Sequence, residues 1–489
     1  MVNLHTREAL PPIDTVYTFE QLIDHDNPSM GTFSQRYWTT WEFYKPGGPI
    51  ILSTPGADSA EDYLAYLQNG TMNGQIAQQQ HGATILLEHR FFGDSNPLPD
   101  LSTASFKYLT VQQVIDDLAY FAENVVLPMP GGDQVSPSKA PWILIGGTYS
   151  GTFALRALTA WTKVNKPDSF FIGYASSAVV ESITNFWGFY EPIRLFMAPN
   201  CSADVQAASA RIDEIFAGGN ATAISTLKAS FGMGDIVHTD DWIYPLHSNF
   251  WDWLDLQPDS EGGAFLDFCE ALEVKDGVSA PASGWGGEHA LAAWGSFWAN
   301  GYYQSLCDDY DAEYCFGSYG HNASYWEDTS LNDAQRSSYW LSCTELGGFT
   351  QAPPDGYPSL ISRLNTMSAY ERRTQRICMK QFPEVLKTRA QAVPDVDKTN
   401  AAYGGWNLKA ERLFFANGLR DANRYQTVSS GFVNISSTPE QPIAVSDAFQ
   451  CSDLTTQNGL VNPSVLAVQK EGLSYIAKWL KEWKPSDTH

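Results

Sequence analysis

Trp142-Ile143-Leu144-Ile145, then Gly146-Gly147-Thr148-Tyr149-Ser150-Gly151, then a helical run over 153–164, is the stretch that decides the fold. Four apolar residues in a row, too few for a helix, read as a buried strand. A turn of small residues follows, and apolar residues at helical spacing come next. In α/β-hydrolases a nucleophile stands on such a cramped strand-to-helix turn, with small residues two before and two after it. That spacing centres on Thr148. Ser150 fits the small-residue rule less well, because Thr148 occupies its preceding slot, and it stands as the alternative nucleophile. A Gly-Gly turn also occurs in many α/β proteins, so the remaining pieces must be found elsewhere.

Working outward, residues 49–52 and 83–88 read as strands, 109–121 as a helix and 170–174 as a further strand. Strand, crossover helix, strand is the pattern of a mostly parallel sheet covered by helices. From about residue 180 to 400 the character changes to helical patterns, such as 205–216 and 264–272, separated by Trp/Tyr/Gly-rich loops. Six of the seven cysteines fall there, and only Cys451 lies outside it. Strand patterns return at 412–416, ending in an Asn417-Gly418 turn, and at 442–445, before a terminal helix over 466–482. The expected fold class is therefore α/β: an α/β-hydrolase core of 1–179 and 401–489 with an inserted helical cap over 180–400.

Composition narrows the partners. Lys and Arg total 30 against 55 Asp and Glu, a formal charge of -25. That charge repels nucleic acid and anionic membrane surfaces. No apolar run approaches the roughly 18 residues that cross a bilayer. The segment 1–12 has no apolar signal-peptide core, which reads as either a cytosolic start or a mature chain carrying an added Met1. Scattered cysteines without a C-x-x-C pair point to up to three disulfides and one free thiol, with the pairing open. Sequons begin at Asn69, Asn200, Asn220, Asn322 and Asn434 and mark N-glycan acceptors. Cysteines, sequons and acidity together favour a secreted, extracellular, or vacuolar/lysosomal glycoprotein. No metal-ligand spacing and no cofactor motif stands out, so neither is expected. The oligomeric state is open, with a homodimer as one option.

A hydrolase triad on this fold needs an acid after a late strand and a histidine beyond it. Asp421 follows the strand expected at 412–416. The histidine belongs between about 440 and 460, yet the histidines are at 5, 25, 81, 89, 238, 247, 289, 321 and 489.

Several ordered segments resemble the S28 serine peptidases: lysosomal Pro-Xaa carboxypeptidase, dipeptidyl-peptidase II and fungal prolyl endopeptidases. They are Thr32-Phe33-Ser34-Gln35-Arg36-Tyr37-Trp38, Lys45-Pro46-Gly47-Gly48-Pro49-Ile50 and Glu88-His89-Arg90-Phe91-Phe92-Gly93-Asp94-Ser95. Phe106-Lys107-Tyr108-Leu109-Thr110, Gly173-Tyr174-Ala175-Ser176-Ser177 and Trp340 with Cys343-Thr344-Glu345 continue the match. The resemblance implies a capped α/β-hydrolase, secretion or lysosomal routing, and cleavage next to proline at acidic pH. It implies Thr148 in the nucleophile slot, where Gly-x-Ser-Tyr-Gly/Ser-Gly is the pattern, with the Tyr149 backbone N–H as oxyanion donor. The acid motif Asn-Gly-x-x-Asp-Pro-Trp keeps Asp421, but Ala422-Asn423 replaces Pro-Trp. The histidine motif reads Gln450-Cys451-Ser452-Asp453-Leu454, with Gln450 in the histidine slot.

A Gln side chain accepts no proton near neutral pH, so it cannot act as general base. The leading expectation is a degenerate peptidase homologue that binds a peptide or small-molecule ligand in the core–cap cleft. The alternative is an enzyme on the same scaffold. It would use Ser150 or Thr148 activated by Asp453 or by His238, His247 or His289 of the cap, or a non-hydrolytic reaction that needs no nucleophile. A structural or storage glycoprotein is the third reading.

Overall fold

The computed structural model describes all residues except 148–156, 321–325, 366, 389 and 487–489. Eight strands form one sheet: β1 (Tyr17–Leu22), β2 (Thr32–Thr40), β3 (Ile50–Thr54), β4 (Ala83–Leu87), β5 (Trp142–Gly146), β6 (Ile172–Ser176), β7 (Leu413–Gly418) and β8 (Ile443–Ser446). Their order is β1-β2-β4-β3-β5-β6-β7-β8. β2 runs antiparallel to β1 and β4, and every pair from β4 onward is parallel. This is an α/β-hydrolase core with helices around it, as the sequence predicts.

Residue alternation explains why the sheet is covered on both sides. Ile50, Leu52, Trp142, Leu144, Leu413 and Phe415 enter one hydrophobic cluster. Their neighbours Ile51, Ile143, Ile145, Phe414 and Ala416 enter another. A period of two sends successive side chains to opposite faces, and apolar residues at every position demand cover on both. Helices α1 (Met72–Gln80) and α4 (Pro463–Leu480) cover the second face through Met72, Ile76, Val468, Ile476 and Trp479. Helices α2 (Val111–Asn124) and α3 (Leu158–Asn165) cover the first through Val114, Leu118, Phe121, Leu158 and Trp161.

Element ends differ from the sequence reading for local reasons. Arg412 has φ +54°, so β7 begins at Leu413. Asn417 and Gly418, expected as a turn, are the last residues of that strand. The Thr110 side chain accepts from Gln113 N and starts α2 at Val111 rather than at 109. Asn462 caps the terminal helix, which begins at Pro463 rather than 466. Of the helix expected at 153–164, residues 153–156 lie outside the described residues. β1 and β2 stand outside the strands read from apolar runs; β1 is an edge strand whose Thr18 and Glu20 are exposed.

After β6 the chain leaves the sheet and builds a separate hydrophobic cluster from Phe186 to Ile361, including Trp242, Phe250, Phe268 and Trp294. Disulfides Cys201–Cys269, Cys307–Cys315 and Cys343–Cys378 brace this region, and Cys451 is a buried free thiol. Trp340, Cys343, Cys378 and Phe382 pack into the cluster on the first face of the sheet. The late part of the excursion is thus tied to the core. No described helix is long and apolar enough to cross a membrane.

One buried charge pair ties the amino-terminal strands to α2. Arg90 is fully buried; Nε donates to Asp117 Oδ2 at 2.6 Å, and an NH2 group donates to Asp117 Oδ1. Its remaining donors reach Leu22 O, Ile23 O, Tyr108 O and Gln113 Oε1. His25 Nε2 stands 2.8 Å from the same carboxylate. Removing one partner of a buried pair leaves an uncompensated charge. Arg90→Ala is therefore expected to cost about 3–5 kcal/mol in urea unfolding, whereas Arg211→Ala, at an exposed pair with Glu288, should cost about 1 kcal/mol or less.

Candidate active site

Parallel strands deliver their C-terminal ends to one edge of the sheet, and the candidate residues lie there. Gly146 pairs with Ala175, Ser176 with Ala416, and Gly418 with Ser446. Thr148, Tyr149 and Ser150 lie outside the described residues. Gly147, the residue before them, is described. A Cβ at Gly147 would sit 2.9 Å from Leu454 Cδ1 and from Ser176 Cβ, and 3.1 Å from Cys451 Sγ. A side chain at 147 would crowd Ser176 and Cys451, the residue next to Gln450.

The loop carrying Asp421 is pressed against the loop carrying Gln450. A Cβ at Gly418 would lie 2.4 Å from Ala448 O and 2.5 Å from Phe449 O. Arg420 N donates to Ala448 O at 2.9 Å. Asp421 is 1% exposed, and its Oδ1 accepts from the backbone N–H of Asn423 at 2.8 Å. Asn423 Nδ2 in turn donates to Gln450 Oε1 at 3.3 Å. Asp421 and Gln450 are thus brought to either side of Asn423, and all three are buried. Asn423 was visible in the sequence only as a departure from a Pro-Trp pattern. Its side-chain link to Gln450 needs the fold to be seen.

Gln450 is also held from the helical region. Gln257 Nε2 donates to Gln450 O at 3.2 Å, and Trp253 Nε1 donates to Arg420 O at 2.7 Å. Ala422 belongs to the hydrophobic cluster of that region. Both loops are therefore clamped between core and insertion.

Two residues beside the site hold left-handed backbone, Ser177 at φ +48° and Cys451 at φ +54°. Such strain in non-glycine residues persists where surrounding contacts over-determine it. Here Cys451 N donates to Ser177 Oγ at 3.0 Å, locking one to the other.

Asp453, weighed above as a substitute base, points under the sheet edge. Tyr174 Oη donates to its Oδ2 at 2.8 Å and Ser176 Oγ donates to its Oδ1 at 2.7 Å. Burial pushes its pKa up to about 6, partly offset by these two hydrogen bonds. Of the cap histidines, His247 is buried with Nδ1 3.0 Å from Tyr190 Oη and Nε2 2.7 Å from Asn365 Nδ2. Burial and the Arg373 charge press its pKa down to about 3, so the ring is neutral and occupied at both nitrogens. His238 stacks on Tyr319 at 3.5 Å, and His289 meets Trp285 edge-on.

The loop after β3, from which α/β-hydrolases in general take a second oxyanion N–H, was not singled out by the sequence reading. Its Ala57 and Asp58 line a cavity of about 570 Å³ shared with Tyr244, Trp251, Asp252 and Phe349 of the helical region. Four of the five sequon asparagines are described: Asn69, Asn220 and Asn434 are exposed and Asn200 is half-buried. Asn322 lies outside the described residues.

Comparison with known proteins shows the family. The family Serine carboxypeptidase S28 matches residues 21–471. A protein named serine protease vicPa from Bipolaris victoriae is 33% identical, covering 97% of this chain and 91% of its own. A probable extracellular serine carboxypeptidase from Arthroderma benhamiae is 27% identical over 92% of this chain and 64% of its own. Human lysosomal Pro-X carboxypeptidase is 26% identical, covering 50% of this chain and 52% of its own.

Asp453 makes a testable contribution to pH dependence. An unfolded Asp releases its proton near pH 4, whereas Asp453 in the fold holds its proton until about 6. The folded state binds more protons between these values, so this stability is full below about pH 4 and lost as pH rises through 6. The loss is on the order of 2–3 kcal/mol. Asp453→Asn removes the titration, and the difference in unfolding free energy between pH 4.5 and 7.5 should shrink by roughly that amount. An unchanged difference would show that Asp453 is ionised throughout.

Proposed function

The chain belongs to the serine carboxypeptidase S28 family, and from that premise we propose that it is a catalytically degenerate member whose core–cap cleft binds a peptide or small ligand. Thr148, Asp421 and Gln450 take the triad positions in this reading, with Tyr149 N–H as the oxyanion donor and Ser150 as the alternative nucleophile. Residues 1–179 and 401–489 act as the core and 180–400 as the cap. Secretion or vacuolar/lysosomal routing, with glycans at the exposed sequons, accords with the names of the extracellular and lysosomal relatives.

The observation that carries the proposal is the Asn423–Gln450 contact at 3.3 Å. Two of the departures from the family pattern, Asn for Trp beside the acid and Gln for His, meet each other in space. A His–Asp pair works by moving a proton and stabilising the cation that forms. Two neutral amides hold a loop and present donors and acceptors, but they transfer no proton at physiological pH. Two of the substitutes named above are engaged as well. Asp453 accepts hydrogen bonds on both oxygens, and His247 is saturated and neutral. What such a site retains is shape, polarised N–H groups and a cleft. Residual carbonyl polarisation without a base gives only slow turnover.

The test is hydrolysis of proline-containing peptides at acidic pH by the wild type and by Thr148→Ser/Gln450→His. The wild type is expected to be near background. The double variant is expected to gain on the order of 10²-fold or more, the usual worth of a positioned general base. Strong wild-type turnover abolished by Thr148→Ala or Ser150→Ala would overturn the proposal and identify the working nucleophile.

A further inference from the structure

The cavity between the β3 loop and the helical region has a charge pattern that selects its occupant. Its volume of about 570 Å³ lies within the roughly 300–1,000 Å³ of small-molecule sites. Three carboxylates line it: Asp58 from the core and Asp252 and Asp255 from the insertion. Among the described residues, none of the three has an ion-pair partner. The cation on the wall, Arg373, is already engaged. Its Nε donates to the fully buried Asp241 at 3.1 Å, an NH2 group donates to Phe316 O, and the guanidinium lies 3.8 Å over the Tyr244 ring.

The remaining walls include Tyr244, Trp251 and Phe349. Asp252 keeps a single neutral donor, Tyr302 Oη at 2.7 Å. Its carboxyl is pushed up to about 6 by burial, with the Asp255 charge adding to the shift, and burial raises Asp255 too. Carboxylates that repel each other inside a part-desolvated, aromatic-walled space bind a cation favourably and an anion poorly.

Resting on the reading of this cleft as a ligand site, we propose that the cavity binds a protonated amine attached to an apolar or aromatic body, with Asp252 and Asp255 facing the ammonium. The same segment connects this subsite to the altered triad. Trp253 and Gln257, which follow Asp252 and Asp255 along the chain, donate to the backbone of Arg420 and Gln450.

The probes are phenethylamine, 3-phenylpropionate, and one short proline-containing peptide with a free or an acetylated amino terminus. Binding is measured by calorimetry on the full chain, with wild type, Asp252→Asn and Asp255→Asn. Asp255 is exposed, so its variant leaves folding intact. Asn at 252 still accepts from Tyr302. At least one free amine is expected to bind roughly 10-fold or more tighter than its acetylated or anionic counterpart, and each variant should lose most of that preference. Preference confined to the peptide identifies a peptide amino terminus as the source; preference shared by phenethylamine identifies any aryl amine. Equal binding of charged and blocked probes, absence of binding by every amine, or insensitivity to both variants overturns the proposal. Mass spectrometry of the recovered peptide keeps the two readings apart. A cleaved peptide with the amine preference intact upholds the subsite and overturns the degenerate reading.

Discussion

Parallel pairing from β4 through β8 is the constraint on which the rest of the molecule depends. It forces every strand in that part of the sheet to end at the same edge, so that Gly147, Ser176, Gly418 and Ser446 arrive together. The loops that follow must then pack against each other at backbone distance. That demand makes Gly147 and Gly418 glycines, since a methyl at either would collide with Ser176 and Cys451 or with the carbonyls of Ala448 and Phe449. The insertion closes over the same edge through Trp253 and Gln257, and Ala422 of the core packs into its hydrophobic cluster. Scaffold and cleft therefore persist whatever chemistry occupies the loops, because neither relies on a triad side chain.

This separation leaves the fold independent of the side chains at the proposed chemical positions. Buried polar groups are costly only when unsatisfied. Asn423 Nδ2 and Gln450 Oε1 satisfy each other, while Asn423 Oδ1 has no hydrogen-bond partner among the described residues. Asp421 accepts from Asn423 N, which fixes the loop around it. Raised carboxyl groups at Asp453 and Asp252, near 6, and at Glu345, near 7, all favour the folded state at acidic pH. An overall charge of -25 acts in the same direction, since protonation relieves self-repulsion.

Much of this was legible in the chain itself. The strand, turn and helix around Trp142–Gly146 announced the core, because buried parallel strands leave uninterrupted apolar runs. The cysteine distribution announced the braced insertion, and three disulfides with Cys451 free are what the structure contains. Asp421 and Gln450 were singled out by their place in motifs. The Asn423 link was not, because a contact across 27 residues leaves no periodic trace. β2 was marked only by the family resemblance over 32–38, and β1 left no apolar run, as an edge strand needs only one apolar face. Asn417-Gly418 was misread as a turn because glycine is usually required for conformation, whereas Gly418 is required for space. The carboxylates of the cavity, Asp58, Asp252 and Asp255, come from two distant segments and only the fold joins them.

The most direct test of the central claim is covalent labelling with an aryl or alkyl fluorophosphonate, read by intact-protein and peptide mass spectrometry. Such a reagent captures a hydroxyl only where a base has activated it. The account predicts no adduct on Thr148 or Ser150 in the wild type under conditions that label Thr148→Ser/Gln450→His stoichiometrically. A stoichiometric wild-type adduct at either residue would contradict it and show that a working nucleophile remains.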